Sequence, residues 1–463
     1  MKNIKNVEND AAKYPLEGGR GAGSLKSTLA VSLTNYLDAG SIVAGASGLT
    51  LWQNYLSLQE VHLSWLNAIS ANCFGAALGA IIGGFLADKY GRKTIYTYNM
   101  LVYMLGVLIV MFAVNFPMLL LGFLITGISV GAGVPASWTY ISETSEVKNR
   151  GRNIGISQFA WSIGPAIIFG LGMLLAKNGI IGEKIYTALV NSGWSEQSAE
   201  LFGNRIIFGT LFVVALIAWI LQRQLEESKD WEKSKAEQKL SKIKQPGVFS
   251  SFGTLFKNAV NVKTIIYLAG IYLTWNLVAG AMGFFMPHVY ETAGNLTNEY
   301  SNRLTCIMWA LTALVSFFGF ALLSDKVNQR LLYIGGTLLG VAAWIVLTFV
   351  GINNISALWT FTILWGVHAG LGVQAFYALW ASELFPAKYR AAAQGIMFFV
   401  VRGGAAIWSF VFIGIFNKSG FHTAGVIMIV LLVIALVVGA IWTPKTQGKT
   451  LEQITKERYG NNN

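Results

Sequence analysis

A single carboxylate, Asp38, stands in the small and apolar stretch TNYLDAGSIVAG, which lies within a run from Leu29 to Trp52. At the centre of a membrane helix such a charge costs about 2.5 to 3.5 kcal/mol on insertion scales. A carboxylate survives there if it pairs with a cation, faces a water-filled cavity or holds a proton. The chemistry that Asp38 offers is therefore ion pairing or reversible protonation.

A second charge, Arg402, lies in the apolar stretch FFVVRGGAA, eleven positions after an apolar run begins at residue 391. No other Arg or Lys is placed well inside such a run, and a guanidinium at that depth is expected to face a cavity or a counter-charge. The alternative is that the long side chain reaches out to the membrane surface. If Arg402 faces inward, it either pairs with Asp38 or binds an acidic substrate, and the sequence leaves both roles open.

The composition is that of a polytopic membrane protein. Of the 463 residues, 54% are hydrophobic and only 12% are charged, and the mean hydropathy is +0.53. The net charge of +12 comes from Lys and Arg residues confined to short segments between apolar runs, so nucleic-acid binding is not expected. The two cysteines fall inside apolar runs, so a disulfide framework is not expected.

Apolar runs long enough to cross a hydrocarbon core of about 30 Å, roughly 20 residues each, occur twelve times. They lie near 27–50, 64–87, 94–114, 117–142, 153–176, 204–222, 263–290, 304–324, 330–350, 357–382, 391–416 and 421–442. Basic segments such as DKYGRK and EVKNRGR lie between alternate runs, and the positive-inside rule places these loops and both termini in the cytoplasm. We therefore predict an all-α membrane protein with twelve transmembrane helices.

The twelve runs divide into two six-helix pseudo-repeats. The predicted boundaries are a cytoplasmic N-terminus at 1–26, a first bundle at 27–222, a cytoplasmic linker at 223–262, a second bundle at 263–442 and a cytoplasmic C-terminus at 443–463. Asp88 recurs as Asp325 after 237 positions, and Glu143 recurs as Glu383 after 240 positions. Two motifs at nearly one period indicate a duplicated unit, as in transporters that rock two halves about a central site.

Five short motifs carry a family resemblance. GGFLADKYGRK (83–93) resembles the loop signature of the major facilitator superfamily. YISETSEVKNRGR, ESKDW, SELFPAKYR and PKTQGKTLEQI resemble signatures of its sugar porter branch, and they occur in the same order and places. The resemblance spans the whole chain and implies the major facilitator fold.

The resemblance also implies a cytoplasmic gate of charged side chains that pair when the transporter opens outward. Its members would be Asp88, Arg92, Glu143, Arg150, Glu227, Asp325, Arg330, Glu383 and Arg390. In the family, Asp88 faces the N-terminus of the eleventh span, where the helix dipole favours an acid. One departure is Lys445, which stands where family members usually carry Glu, so the C-terminal part of the gate is expected to be weaker or differently wired.

Sugars and polyols present many hydroxyls, so their sites use amides, which donate and accept hydrogen bonds, beside aromatic surfaces. The candidate substrate-binding residues are Gln158, Trp161, Trp275, Asn276, Gln374, Tyr377, Trp380 and Arg402. Gln158 matches a substrate-contacting Gln of the family, whereas the paired glutamines of the seventh span are missing. The family's Arg on the fourth span aligns with Phe123, so Asp38 lacks its usual partner.

The resemblance implies a transporter that imports a monosaccharide, a cyclic polyol such as inositol, or a sugar acid by proton symport. From its place in an apolar run we predict that Asp38 is the coupling acid, protonated from the outside and released inside. Facilitated diffusion and a non-transporting sugar sensor on the same fold are the alternatives. An enzyme is not expected, since no nucleophile and base converge. No cofactor or metal is implied, because the four histidines lie far apart. We expect a monomer in the lipid bilayer of the cell membrane.

Overall fold

The computed structural model describes residues 21–71, 73–228, 231–233, 235–236, 253, 255–296, 298–387 and 390–460, and every regular element in these ranges is a helix. The predicted N-terminal segment 1–26 lies mainly outside the described residues, as does the central part of the predicted linker 223–262.

In the part of the chain that the structure describes, nine helices precede the linker, and they form what we call the first half. They are α1 (Gly21–Ser47), α2 (Leu49–Leu56), α3 (Glu60–Ile69), α4 (Phe74–Tyr90), α5 (Arg92–Met111), α6 (Phe116–Thr144), α7 (Arg150–Leu175), α8 (Gly182–Asn191) and α9 (Glu196–Gln222). Between α6 and α7 lies one 3-10 turn, Val147–Asn149.

The helices after the linker form the second half. They are α10 (Ala259–Thr292), α11 (Asn298–Leu314), α12 (Gln329–Val350), α13 (Ile355–Leu371), α14 (Val373–Glu383), α15 (Arg390–Ile441) and α16 (Leu451–Tyr459). A π-helical stretch, Val315–Phe320, and a short helical turn, Ala321–Leu323, continue α11. The break at Gly372 separates α13 from α14, and Gly420, at φ 75° and ψ 177°, turns the chain within α15.

Within the described residues, ten helical segments are long and apolar enough to cross a membrane. These ten segments correspond to the third to twelfth predicted runs. The first predicted run falls mainly on α1, and the second falls on the adjacent helices α3 and α4. The break at Gly372 lies inside the tenth run, and the eleventh and twelfth runs follow one another along α15. The predicted runs therefore match the helices, but a composition pattern did not reveal the breaks within them.

The helices approach closely where glycine faces a neighbouring backbone. A Cβ on Gly131 of α6 would lie 1.9 Å from the carbonyl oxygen of Ala76 on α4, and a Cβ on Gly395 of α15 would lie 2.3 Å from that of Ala80. Small residues permit such contacts between membrane helices. Helix α4 thus packs tightly against α6 in its own half and against α15 in the other half. A second contact between the halves joins α7 to α11, and both of these helices line the candidate site.

Candidate functional site

A cavity lies at the centre of the molecule, between the two halves. Its wall is formed by α1 and α7 from the first half and by α10, α11, α13, α14 and α15 from the second. Six of the eight predicted substrate-binding residues line it, namely Gln158, Trp161, Trp275, Asn276, Gln374 and Arg402. Sequence reasoning missed Trp309 and Trp365, which also line the cavity, because a single Trp in a membrane helix gives no signal that separates a cavity wall from packing.

The amides of the cavity are arranged to meet hydroxyl groups. Gln374 Nε2 of α14 donates to Gln158 Oε1 of α7 at 3.0 Å, so one hydrogen bond joins the two halves. Gln158 Nε2 and Asn276 Oδ1 are buried and have no hydrogen-bond partner among the described residues. One free donor and one free acceptor thus accompany the amide pair, a combination that suits a polyhydroxylated ligand.

A buried histidine holds the cavity residue Trp275 in place. The indole N–H of Trp275 donates to His368 Nε2 at 2.9 Å, and His368 Nδ1 lies 2.8 Å from the carbonyl oxygen of Gly336. Nε2 therefore acts as the acceptor and Nδ1 as the donor, which is the pattern of a neutral imidazole. His368 is a satisfied polar residue between helices that orients an indole of the cavity wall.

Tyr377 and Trp380 are not among the residues that line the cavity. Tyr377 stacks on Tyr272 with 4.0 Å between ring centroids, and Trp380 donates to Gln329 Oε1 at 3.1 Å. The reason is helical geometry. Three residues along a helix rotate the side-chain direction by about 300°, which is about 60° short of a full turn. Tyr377 and Trp380 therefore point progressively further from the direction of Gln374, which faces the cavity.

The intramembrane carboxylate Asp38 lies beside the cavity with two partners. Arg402 Nη2 lies 3.5 Å from Asp38 Oδ2, and the indole N–H of Trp161 donates to the same oxygen at 2.8 Å. Only 1% of the Asp38 side chain and 4% of the Arg402 side chain are exposed. Because α1 belongs to the first half and α15 to the second, this ion pair joins the halves at the cavity.

Phe123 occupies the place where the family resemblance expects an arginine. Its ring lies so close to Gly45 of α1 that a Cβ there would be 2.7 Å from the nearest ring carbon, and it packs edge-on against Phe208. The side of α1 that faces α6 is therefore apolar at this position. The cation that pairs with Asp38 comes from the opposite half instead.

A second polar cluster, which we call the ion-pair latch, lies at the end of the bundle that is predicted to be cytoplasmic. It consists of Arg92, Glu143, Arg150, Glu383 and Arg390. Glu143 Oε1 accepts from Arg92 at 3.1 Å and from Arg390 at 2.7 Å, while Arg150 donates to Glu383 at 2.8 Å. All five side chains are at most 4% exposed. Two of the three pairs, Glu143 with Arg390 and Arg150 with Glu383, cross from one half to the other.

Three further acids of the predicted gate cap helix N-termini beside the latch. Asp88 accepts from the backbone N–H of Ala392 in the first turn of α15 at 2.7 Å. Glu227 accepts from two N–H groups at the start of α5, and Asp325 accepts from two at the start of α7. Burial raises the pKa of Glu227 and of Asp325 above the usual carboxyl value, and these backbone hydrogen bonds act in the opposite direction.

The structure does not bring Arg330 into this network. It is exposed, and no ion pair is found for it among the described residues. Arg92 follows its acid by four positions, and the residue at that offset from Asp325 is Gln329, which is buried and accepts from Trp380. Arg330 stands one position further on and turns outward, since one residue rotates a helix by about 100°.

The C-terminal segment meets the latch through neutral groups. Lys445 is exposed, whereas Gln447 Nε2 donates to the carbonyl oxygens of Asp325 at 3.2 Å and of Val327 at 3.1 Å. Arg150 also donates to the carbonyl oxygen of Lys449 at 3.4 Å. With Lys445 in place of an acid, this part of the gate uses amide and carbonyl groups.

Among the residues that the structure describes, no cluster of three or more His, Cys, Asp or Glu could hold a metal ion.

Comparison with known proteins agrees with this arrangement. The family model of the Major Facilitator Superfamily matches residues 28–409. The chain belongs to this superfamily. It is 41% identical over 437 residues to the minor myo-inositol transporter IolF of Bacillus subtilis, and the match covers 94% of each chain. It is 25% identical over 411 residues to the arabinose-proton symporter of the same organism, and this match covers 84% of this chain and 85% of the other. The resemblance to sugar porters is thereby confirmed.

Solved structures of the superfamily share the fold. The proton:xylose symporter XylE bound to 6-bromo-6-deoxy-D-glucose superposes with a TM-score of 0.77 at 17% identity, covering 94% of this chain and 99% of that one. A variant of the Escherichia coli fucose:proton symporter FucP gives a TM-score of 0.67 at 14% identity, covering 93% and 100%. The predicted all-α membrane class with the major facilitator fold is confirmed.

Proposed function

We propose that this superfamily member is a secondary active transporter that imports a monosaccharide, a cyclic polyol or a sugar acid together with protons. The observation that carries the proposal is the central cavity, where amides and indoles from both halves surround a space bordered by the Asp38–Arg402 pair. The 41% identity to a protein named as a myo-inositol transporter supports a cyclic polyol as the first substrate to test.

Transport would proceed by alternating access. The ion-pair latch holds the halves together at one end, and the Gln158–Gln374 hydrogen bond joins them at the cavity wall. Substrate can leave toward the latch only after these contacts have separated. A ligand shifts the equilibrium between two conformations only if it binds one of them more tightly. Bound substrate must therefore favour the conformation in which the amides of Gln158 and Gln374 contact the substrate and not each other.

Asp38 would be the proton-coupling acid. While it is ionised, it attracts the guanidinium of Arg402 in the opposite half and accepts the indole N–H of Trp161. Protonation removes the charge that sustains both contacts, so proton binding weakens one link between the halves. In this scheme the substrate and the proton act on the same interface, which is what coupling requires.

The transporter would reside in the cell membrane as a monomer, with both termini in the cytoplasm. The distribution of Lys and Arg supports this orientation, because the basic segments between alternate helices all lie at the same end. In that orientation the latch closes the cytoplasmic side, and external substrate would enter from the opposite side.

The proposal is tested by uptake into proteoliposomes with a panel of neutral sugars, cyclic polyols and sugar acids, with and without an imposed pH gradient. We expect concentrative uptake of at least one of them when the outside is acidic. Equilibration without accumulation would replace the proposal with facilitated diffusion. Binding without any flux would identify a sensor.

A further inference from the structure

Trp161 of α7 makes three contacts that bear on coupling. Its indole N–H donates to Asp38 Oδ2 at 2.8 Å, and its ring forms part of the cavity wall. The same ring meets the edge of Trp309 on α11, in the opposite half, with 5.3 Å between the ring centroids. One rigid side chain thus contacts the intramembrane acid, the cavity and the facing half.

Asp38 itself is not part of the cavity wall. Its neighbour Ala39 lines the cavity, but the Asp38 side chain is only 1% exposed and lies behind Trp161 and Arg402, which both line it. A substrate in the cavity therefore contacts the partners of the carboxylate and does not contact the carboxylate. The direct contacts through which Asp38 can act on a substrate are therefore those of Trp161 and Arg402.

We propose that Trp161 is the positioning residue that transmits the protonation state of Asp38 to the substrate cavity. This inference rests on the proposed proton coupling by Asp38. An indole N–H is a donor only, and a bond to an ionised carboxylate is stronger than a bond to a neutral one. The ionised acid therefore fixes the Trp161 ring in the cavity wall and against Trp309. The protonated acid releases the ring, which then adjusts to the substrate and to movement of the facing half.

The other ionisable groups near Asp38 limit what else could carry this signal. Those that face it are Arg402 on α15, Tyr103 on α5 and Tyr272 on α10. The described charges of the other helices packed against α1 include Glu143 on α6, Arg150 and Arg152 on α7, and Glu196 and Glu200 on α9, which stand toward the helix ends. Arg205 of α9 donates to the carbonyl oxygen of Ala113 and lies over the ring of Trp52. The hydroxyl of Tyr103 is hydrogen-bonded to that of Ser41, and the ring of Tyr272 stacks on Tyr377. Neither tyrosine is among the residues that line the cavity. Trp161 and Arg402 each contact Asp38 and line the cavity, and Trp161 also contacts Trp309.

The test compares Trp161→Phe with Trp309→Phe. Both tryptophans line the cavity, but the Trp309 N–H has no hydrogen-bond partner among the described residues. Each change removes one indole, and only the first removes a hydrogen bond to Asp38. Equilibrium binding of the transported substrate to the purified proteins is measured as a function of pH, without a gradient. The quantity compared is the pH midpoint, which is the pH at which the apparent affinity lies halfway between its acid and alkaline limits.

We expect Trp161→Phe to move this midpoint upward by about one pH unit, since the ionised acid loses one charge-assisted hydrogen bond and takes up a proton about tenfold more readily. Trp309→Phe should lower the affinity at every pH and leave the midpoint in place. Equal midpoints for the two variants would overturn the assignment of Trp161. Wild-type binding that is independent of pH would instead count against the proposed proton coupling itself.

A second replacement keeps the test decisive if Trp161→Phe does not fold. Benzothienylalanine at position 161 puts sulfur in place of the N–H and preserves the size of the ring system. It should give the same upward shift as the Phe variant. A midpoint equal to that of the wild type would show that the ring packs there without transmitting the charge of Asp38.

Discussion

Removing the charge of Glu143 should open the latch and leave the cavity intact. Glu143 Oε1 accepts from Arg92 at 3.1 Å and from Arg390 at 2.7 Å, and all three side chains are at most 1% exposed. Breaking a buried ion pair costs about 3 to 5 kcal/mol. Glu143→Gln keeps the size and one acceptor oxygen, and only the Arg390 contact crosses between the halves. We therefore expect Glu143→Gln to shift the equilibrium from the closed toward the open form by about 2 kcal/mol, which raises the open fraction by a factor of about 30.

The assay measures how often the closed end opens. The chain has two cysteines, Cys73 and Cys306, so their replacement by Ser gives a background without thiols. A reporter thiol is then placed at Ala381, which is fully buried two residues before Glu383. We expect Glu143→Gln to increase the rate of maleimide labelling at this position about 30-fold, while the affinity measured from the opposite side stays within about threefold.

Glu146→Gln is the matched control, because Glu146 lies in the following loop and pairs at 3.8 Å with Lys148, whose side chain is 81% exposed. Exposed pairs contribute about 0 to 1 kcal/mol, so the labelling rate should stay close to that of the parent. If Glu143→Gln labels no faster than Glu146→Gln, the buried pairs do not hold the halves together and the latch reasoning fails.

Three further changes address the cavity. Asp38→Asn should abolish accumulation driven by a pH gradient while permitting downhill exchange in proteoliposomes, and a variant that still concentrates substrate would exclude Asp38 as the coupling acid. Arg402→Gln should shift the pH dependence of uptake of a neutral polyol, because the guanidinium lies 3.5 Å from Asp38; a loss confined to anionic sugars would assign Arg402 to the substrate instead. Gln158→Ala should weaken substrate binding about fivefold, as expected for about 1 kcal/mol of lost hydrogen bonding, while the purified protein still folds, and an unchanged affinity would remove Gln158 from the site.

The amino-acid sequence by itself determined the membrane-spanning architecture. Each apolar run has the length needed to span a bilayer, and this property depends only on the residues within the run. The duplicated acids at 88 and 325 and at 143 and 383 revealed the internal repeat in the same way, since they depend only on spacing along the chain. The high cost of an intramembrane charge also singled out Asp38 and Arg402 before any contact was known.

Only the tertiary structure decided which partners these residues meet. The sequence left Arg402 with two roles, and the fold places it against Asp38 from the opposite half. It also turned Tyr377 away from the cavity and set Trp161 against the carboxylate. The physical reason is that a helix presents a new direction with every residue, so side-chain contacts depend on how whole helices are rotated and broken, as at Gly372. Those rotations are set by packing between distant segments, which no local pattern in the chain records.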